Sequence, residues 1–192
     1  MAYIYIFLTK TGTKIARVIG AVTGDRFAHA SVALDRELNE MYSFARRGLH
    51  NPFRSGFEKE NIHRGVFALF GECRCGLYRL EVSDEVYGRI RDTLTEMYEK
   101  RFSYRYNFLG LFSCAVGIPR NTERRFTCSQ FVSWILSTSG AAALPKNMGL
   151  MKPDDLLSIP GMEEIYEGKI AHADGMQPPV SVLPRRMREK KA

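Results

Sequence analysis

Apolar positions recur along this chain with two spacings, and the switches between them divide it into elements. The opening Tyr3-Ile4-Tyr5-Ile6-Phe7-Leu8 is a near-continuous apolar run of strand length, as expected of a buried first strand. Thr11-Gly12-Thr13 opens a predicted helix that carries Ile15, Val18, Ile19 and Val22 and closes at Gly24-Asp25. From Phe27 to Leu34 the pattern alternates and is rich in β-formers, Asp35 to Asn39 supplies a turn, and Met41 to Ala45 returns, predicting a hairpin over 27–45. Residues 46–63 hold Gly48, Asn51-Pro52 and Ser55-Gly56 among mixed charges and read as an irregular surface loop of the kind that shapes binding sites. Gly65 to Phe70 and Gly76 to Val82 read as two further strands.

Helical spacing then takes over. Ser83-Asp84-Glu85 caps a helix running to about Phe102, with Val86, Ile90, Leu94 and Met97 as its apolar stripe. Leu109 to Val116 is a short apolar helix that Ile118-Pro119 ends, and Pro153-Asp154-Asp155-Leu156-Leu157 begins another short turn. Between them, Thr127 is placed as N-cap of a helix starting at Cys128, with Phe131, Val132, Ile135 and Leu136 on its buried face and Gly140 as its stop. This order predicts an α+β fold, a mostly antiparallel sheet packed against helices. A single domain spans 1–176, and Pro178-Pro179 and Pro184 mark 177–192 as an extended basic tail.

Composition changes this picture little. The 192 residues suffice for one full core, and 45% hydrophobic with 26% charged residues is ordinary for a globular protein. The net charge of +7 resembles a nucleic-acid signal, but Arg185, Arg186, Arg188, Lys190 and Lys191 against Glu189 put +4 of it in the last eight residues. The rest is only mildly basic and the tail lacks interleaved aromatics, so no nucleic-acid partner is expected. No stretch reaches the roughly 18 apolar residues of a membrane helix. The first strand has no basic residues before it and is too short for a signal peptide, so a cytoplasmic location is expected. Oligomeric state is left open.

The four cysteines, Cys73, Cys75, Cys114 and Cys128, form no disulfide framework, which fits reduced thiols. Cys73-Arg74-Cys75 has no second ligand pair at metal spacing and reads as two packed thiols on one strand face; no metal or other cofactor is expected. Cys128 differs, because the positive end of a helix stabilises thiolate over thiol. A nucleophile needs a base. His172, His50 and His63 lie near the tail or in the irregular loop, whereas His29 sits at a strand start, in Phe27-Ala28-His29-Ala30-Ser31-Val32-Ala33. The alternative for His29 is a core imidazole satisfied by a carbonyl.

A strand-borne His followed by small and β-branched residues, then a hairpin, then much later an aromatic-Thr-Cys-Ser-x-Phe-Val helix start, resembles the circularly permuted NlpC-type papain-like family. There His precedes Cys, as here. Tyr104-Arg105-Tyr106-Asn107-Phe108-Leu109-Gly110 resembles the family's Tyr-x-aromatic-Gly stretch, and Pro153-Asp154-Asp155-Leu156 its Pro-x-Asp-Leu turn. The resemblance implies a papain-like fold over about 3–168, with Cys128 as nucleophile and His29 as base. It implies a third polar group on the next strand, where hairpin pairing puts Ser43. Ser43 departs from the family's His, Asn, Gln or acidic residue; it is an orienter, an ordinary strand residue, or replaced by Glu40 or Glu58 as the source of charge. Tyr104, with Tyr106 as competitor, matches a tyrosine near the developing oxyanion, and packing is the alternative for both. The Cys128 N–H is the safer oxyanion donor. Gln130, in the same first turn, lines the cleft, caps the helix or is solvated.

These readings imply a cysteine hydrolase that opens an amide, ester or thioester through an acyl-enzyme, on a small peptide, amide or acyl substrate. If an amine or alcohol resolves the acyl-enzyme, the site is an acyltransferase, as in the related lecithin–retinol acyltransferase-like branch. A binding module that keeps the fold without turnover is the alternative that Ser43 favours. The aromatic and basic residues Phe44, Arg46, Arg47, Phe53, Arg54 and Phe57 form either a cleft wall or a solvated loop with anchoring aromatics.

Overall fold

The computed structural model describes residues 1–10, 26–47, 55–69 and 71–173. The predicted helix after Thr11, His50, Phe53, Arg54 and the basic tail lie outside the described residues. In chain order the main elements are β1 (Ala2–Thr9), β2 (His29–Ala33), β3 (Met41–Arg46), β4 (Ser55–Glu60), α1 (Gly65–Leu69), β5 (Arg74–Val82) and α2 (Asp84–Glu99). There follow β6 (Arg105–Tyr106), α3 (Phe108–Ala115), β7 (Arg125–Phe126), α4 (Cys128–Thr138) and β8 (Met162–Lys169).

Six strands form one sheet in the order β4-β3-β2-β1-β5-β8, and every neighbouring pair is antiparallel. The architecture is therefore α+β, as the element order predicted. Strand alternation sends side chains to two clusters. Ile4, Ile6 and Leu8 of β1 join Val32, Phe44 and Phe57 beneath Ile90, Leu94 and Met97 of α2 and Phe131, Val132, Ile135 and Leu136 of α4. Phe7 points the other way, to a smaller cluster with Met41, Ile62, Phe67, Cys75 and Leu77. The helical stripes predicted for α2 and α4 are the faces that bury.

The β2–β3 hairpin forms at Asp35, whose carboxylate accepts the N–H groups of Asn39 and Glu40 at 2.9 and 2.7 Å. Two expectations are overturned. Part of the segment expected to be an irregular loop is β4, paired to β3 from Arg46↔Ser55 to Met41↔Glu60. Its polar Ser-Gly-Phe-Glu-Lys-Glu sequence hid it: an edge strand tolerates charge, and one side chain, Phe57, anchors it in the larger cluster. The strand expected over Gly65 to Phe70 is instead the short helix α1. A brief apolar run does not separate helix from strand, and here Asn61 begins a turn by accepting the His63 N–H at 2.8 Å, with Phe67 dropping into the smaller cluster. β8, with its mixed Met-Glu-Glu-Ile-Tyr-Glu-Gly-Lys pattern, pairs with β5 and was not foreseen.

Candidate active site

Cys128 is the first residue of α4, and the chain is built to hold it there. Thr127 takes extended dihedrals (φ −78°, ψ 171°) and its hydroxyl accepts the Gln130 N–H at 3.2 Å. The Gln130 side-chain oxygen accepts the Thr127 N–H at 3.0 Å, closing a reciprocal capping box. The other end of the helix stops at Gly140, whose φ of +78° suits a residue without a Cβ. Upstream, β6 and β7 pair in parallel, Tyr106 beside Phe126, which fixes the approach to Thr127.

Gln130 does more than cap. Its side-chain oxygen also accepts from Asn107 Nδ2 at 3.1 Å, and its amide nitrogen donates to the Gly149 carbonyl at 3.2 Å. Every polar atom of this buried side chain is engaged with the protein, so Gln130 is scaffold and not cleft wall. Ser129 is similarly committed, donating to the Met151 carbonyl at 2.6 Å. Thus the loop 147–151 is stitched to the turn that carries Cys128.

His29, at the first position of β2, lies beside Cys128, near enough for each group to act on the other's pKa. Two residues before the strand's apolar stretch, Asp154 clamps the chain by accepting the N–H groups of Arg26 and Phe27 at 2.5 and 2.9 Å. The Pro153–Ser158 3-10 turn therefore acts on the base through the backbone. The imidazole lies 6.2 Å from the Phe67 ring, centroid to centroid.

The third member of the site is Glu60, a residue that sequence reasoning passed over. Both of its carboxylate oxygens lie 3.1 Å from His29 Nε2, and Ser31 Oγ donates to one of them at 2.5 Å. With Nε2 facing the carboxylate, Nδ1 is the ring nitrogen left for the sulfur. Glu60 is the last residue of β4 and its side chain is only 11% exposed. The expectation for Ser43 is corrected: its hydroxyl is buried and donates to the Ala30 carbonyl at 2.6 Å, tying β3 to β2. The two acidic alternatives are occupied elsewhere, Glu58 with Arg47 and Glu40 with Lys59.

The electrostatics follow from these contacts. Burial acts to lower the His29 pKa, but the Glu60 charge and the hydrogen bond to Cys128 outweigh it and hold the imidazole well above its ordinary value. Burial raises the Cys128 thiol, yet the His29 hydrogen bond and charge, with backbone N–H contacts from Ala30 and Ser129, bring it below the ordinary thiol range. The two shifts have one origin: each charged form favours the other, and the Glu60 carboxylate favours the charged imidazole. Cys75 is the contrast: burial, reinforced by the Glu167 charge, pushes it up to about 12.

In the first turn of α4, the N–H groups of Thr127 and Gln130 are capped and that of Ser129 faces the sulfur. The Cys128 N–H has no acceptor among the described residues and so is available to donate to a bound group. The tyrosines contribute otherwise. Tyr104 packs edge-on to Phe44 at 6.3 Å and against Phe57 at 6.2 Å, and no hydrogen bond joins it to the His29–Cys128 pair. Tyr106 packs against Phe108 at 4.9 Å and lines a separate cleft with Arg120 and Arg125. Of the proposed cleft wall, Phe44 and Phe57 are core and Arg47 donates to the Arg101 carbonyl and Glu58. Among the described residues no three His, Cys, Asp or Glu side chains gather to hold a metal, and no helix is long and apolar enough to cross a membrane.

Compared with models of known protein families and with curated proteins, the chain matches none.

Proposed function

We propose that the protein is a cysteine hydrolase of permuted papain-like type that opens an amide, ester or thioester bond through an acyl-enzyme on Cys128. The observation that carries this reading is the juxtaposition of His29 with Cys128 at a helix N-terminus, with Glu60 on the imidazole Nε2. His29 on a strand ahead of Cys128 on a helix matches the permuted order, and Glu60 supplies the charged third group that Ser43 does not.

The chemistry runs from those positions. The Cys128 thiolate attacks the substrate carbonyl, and the Cys128 N–H holds the oxygen as it gains charge. His29, already protonated, gives its proton to the leaving amine, alcohol or thiol as the tetrahedral intermediate collapses. The neutral imidazole then draws a proton from a water whose oxygen attacks the thioester carbonyl, and collapse of that second tetrahedral intermediate breaks the C–S bond, releasing the carboxylic acid and leaving Cys128 thiolate beside protonated His29. Glu60 keeps one tautomer and orientation throughout and stabilises the imidazolium. The binding-module alternative rested on a weak third group, and a bidentate carboxylate removes that ground. Because the thiolate must stay reduced, the reading includes a reducing, cytoplasmic setting and a small peptide, amide or acyl substrate.

The test is acylation profiling against amide, ester and thioester panels, followed by mass mapping. Transient acylation confined to Cys128 and abolished by His29→Ala is expected. Turnover that survives Cys128→Ala, or acylation that ignores His29, would sink the proposal.

A further inference from the structure

The helix α3 is amphipathic the wrong way round. Leu109, Phe112 and Val116 fall at i, i+3 and i+7 and so share one stripe, and that stripe faces solvent at 59, 70 and 71% exposure. Ile118 extends it at 60%. Within the helix only Gly110 is buried, beneath the Asn107 side chain that caps it. An apolar stripe of this kind lowers solubility unless something covers it.

The same region gathers unpaired cations. Arg105, Arg120, Arg124 and Arg125 are exposed, and among the described residues none has an ion-pair partner. Three of them line a cleft of about 510 Å³ whose wall also includes Leu109, so cation and apolar stripe are continuous; Glu123 is the one acid there.

We infer that α3 and this arginine cleft form a docking surface for an anionic lipid bilayer. Charge complementarity decides the occupant. A nucleic acid would satisfy the arginines and leave Phe112 and Val116 wet, and an apolar protein groove would cover the stripe and leave the arginines facing no charge. A bilayer offers both in one plane, with phosphates over the arginines and acyl chains against a short amphipathic helix. This inference stands apart from the thiol chemistry.

The test is co-sedimentation of the full chain with phosphatidylcholine vesicles, with and without phosphatidylserine. Binding to the anionic vesicles, weakened by salt, is expected. Phe112→Ser with Val116→Ser, and separately Arg124→Glu with Arg125→Glu, each lowers partitioning by about tenfold or more, given the worth of each buried group and each cation at such a surface. Circular dichroism establishes that the variants are folded. Phe112→Trp should blue-shift in fluorescence on the anionic vesicles, over the Trp134 background. Equal binding to neutral vesicles overturns the inference. So does parental binding by both double variants, which would assign the affinity to the basic tail, or binding to RNA or protein with none to vesicles.

Discussion

Replacing Glu60 by Gln tests the site most directly, because it removes a charge and keeps size and an acceptor. At a charge separation of about 4 Å and an effective dielectric of about 20, carboxylate and imidazolium attract by about 4 kcal/mol. The amide retains a neutral hydrogen bond, so the expected net loss is that of a charge-assisted bond, about 1.5–3 kcal/mol. Both partners are mostly buried, at 17 and 11% side-chain exposure, so water does not erase the difference. The sign follows from the coupling. Glu60 raises His29, and protonated His29 lowers Cys128, so losing the carboxylate lowers the imidazole and raises the thiol. The equilibrium constant between the thiolate–imidazolium and thiol–imidazole forms falls roughly 10- to 100-fold, since each 1.4 kcal/mol is about a factor of ten. The assay is iodoacetamide labelling of Cys128 across pH, read by peptide mass. In the parent the rate rises through a midpoint below the ordinary thiol value of 9.0, and in Glu60→Gln that midpoint moves up and the neutral-pH rate drops. A variant that labels at the parental rate with an unmoved midpoint would refute the role given to Glu60.

Ser43→Ala should leave the pH profile of Cys128 labelling unchanged and cost about 1 kcal/mol of stability in denaturant unfolding, the worth of its bond to the Ala30 carbonyl; a slowed Cys128 would restore Ser43 as orienter. Gln130→Ala removes one half of a capping box and orphans buried partners at Asn107 and Gly149, so a loss of about 2–4 kcal/mol and a Tm drop of very roughly 5–15 °C is expected by calorimetry. Asp154→Ala frees the Arg26 and Phe27 N–H groups and loosens the approach to His29, so it should slow neutral-pH labelling of Cys128 and move its pH midpoint up. In the parent, Cys75 should stay unlabelled under native conditions at neutral pH, while Cys128 labels readily.

Much of the fold was legible because its signals are local. The Thr127 cap, the α2 stripe and the Asp35 turn each depend on residues within one or two turns of chain, and each stands where its sequence put it. What failed was non-local. β4 has one core side chain in six residues, and only pairing with β3 makes it a strand. β8 likewise gains its conformation from β5. Cys128 and His29 were legible as a pair from their order and element type, whereas Glu60 was not, because it belongs to the strand that was missed. With residues 46–63 expected to be irregular, Glu58 stood as one acidic alternative, but only the pairing of β4 with β3 puts Glu60 opposite His29.

That miss has a physical logic. An edge strand is where a protein tolerates a run such as Glu58-Lys59-Glu60, since unpaired strand edges are protected by charge. The same latitude lets one of those charges turn inward at the strand's end and be retained at 11% exposure beside an imidazole. On a central strand it would displace an apolar neighbour and stand uncompensated until His29 was protonated. Ser31 meets part of that demand by donating to the carboxylate whatever the state of the ring. The site therefore keeps its acid on the sheet's margin and its thiol on a capped, cross-braced helix. His29 and Cys128 thus sit on two elements whose positions are fixed by other bonds, β2 through Ser43 and Asp154 and α4 through its capping box and Ser129.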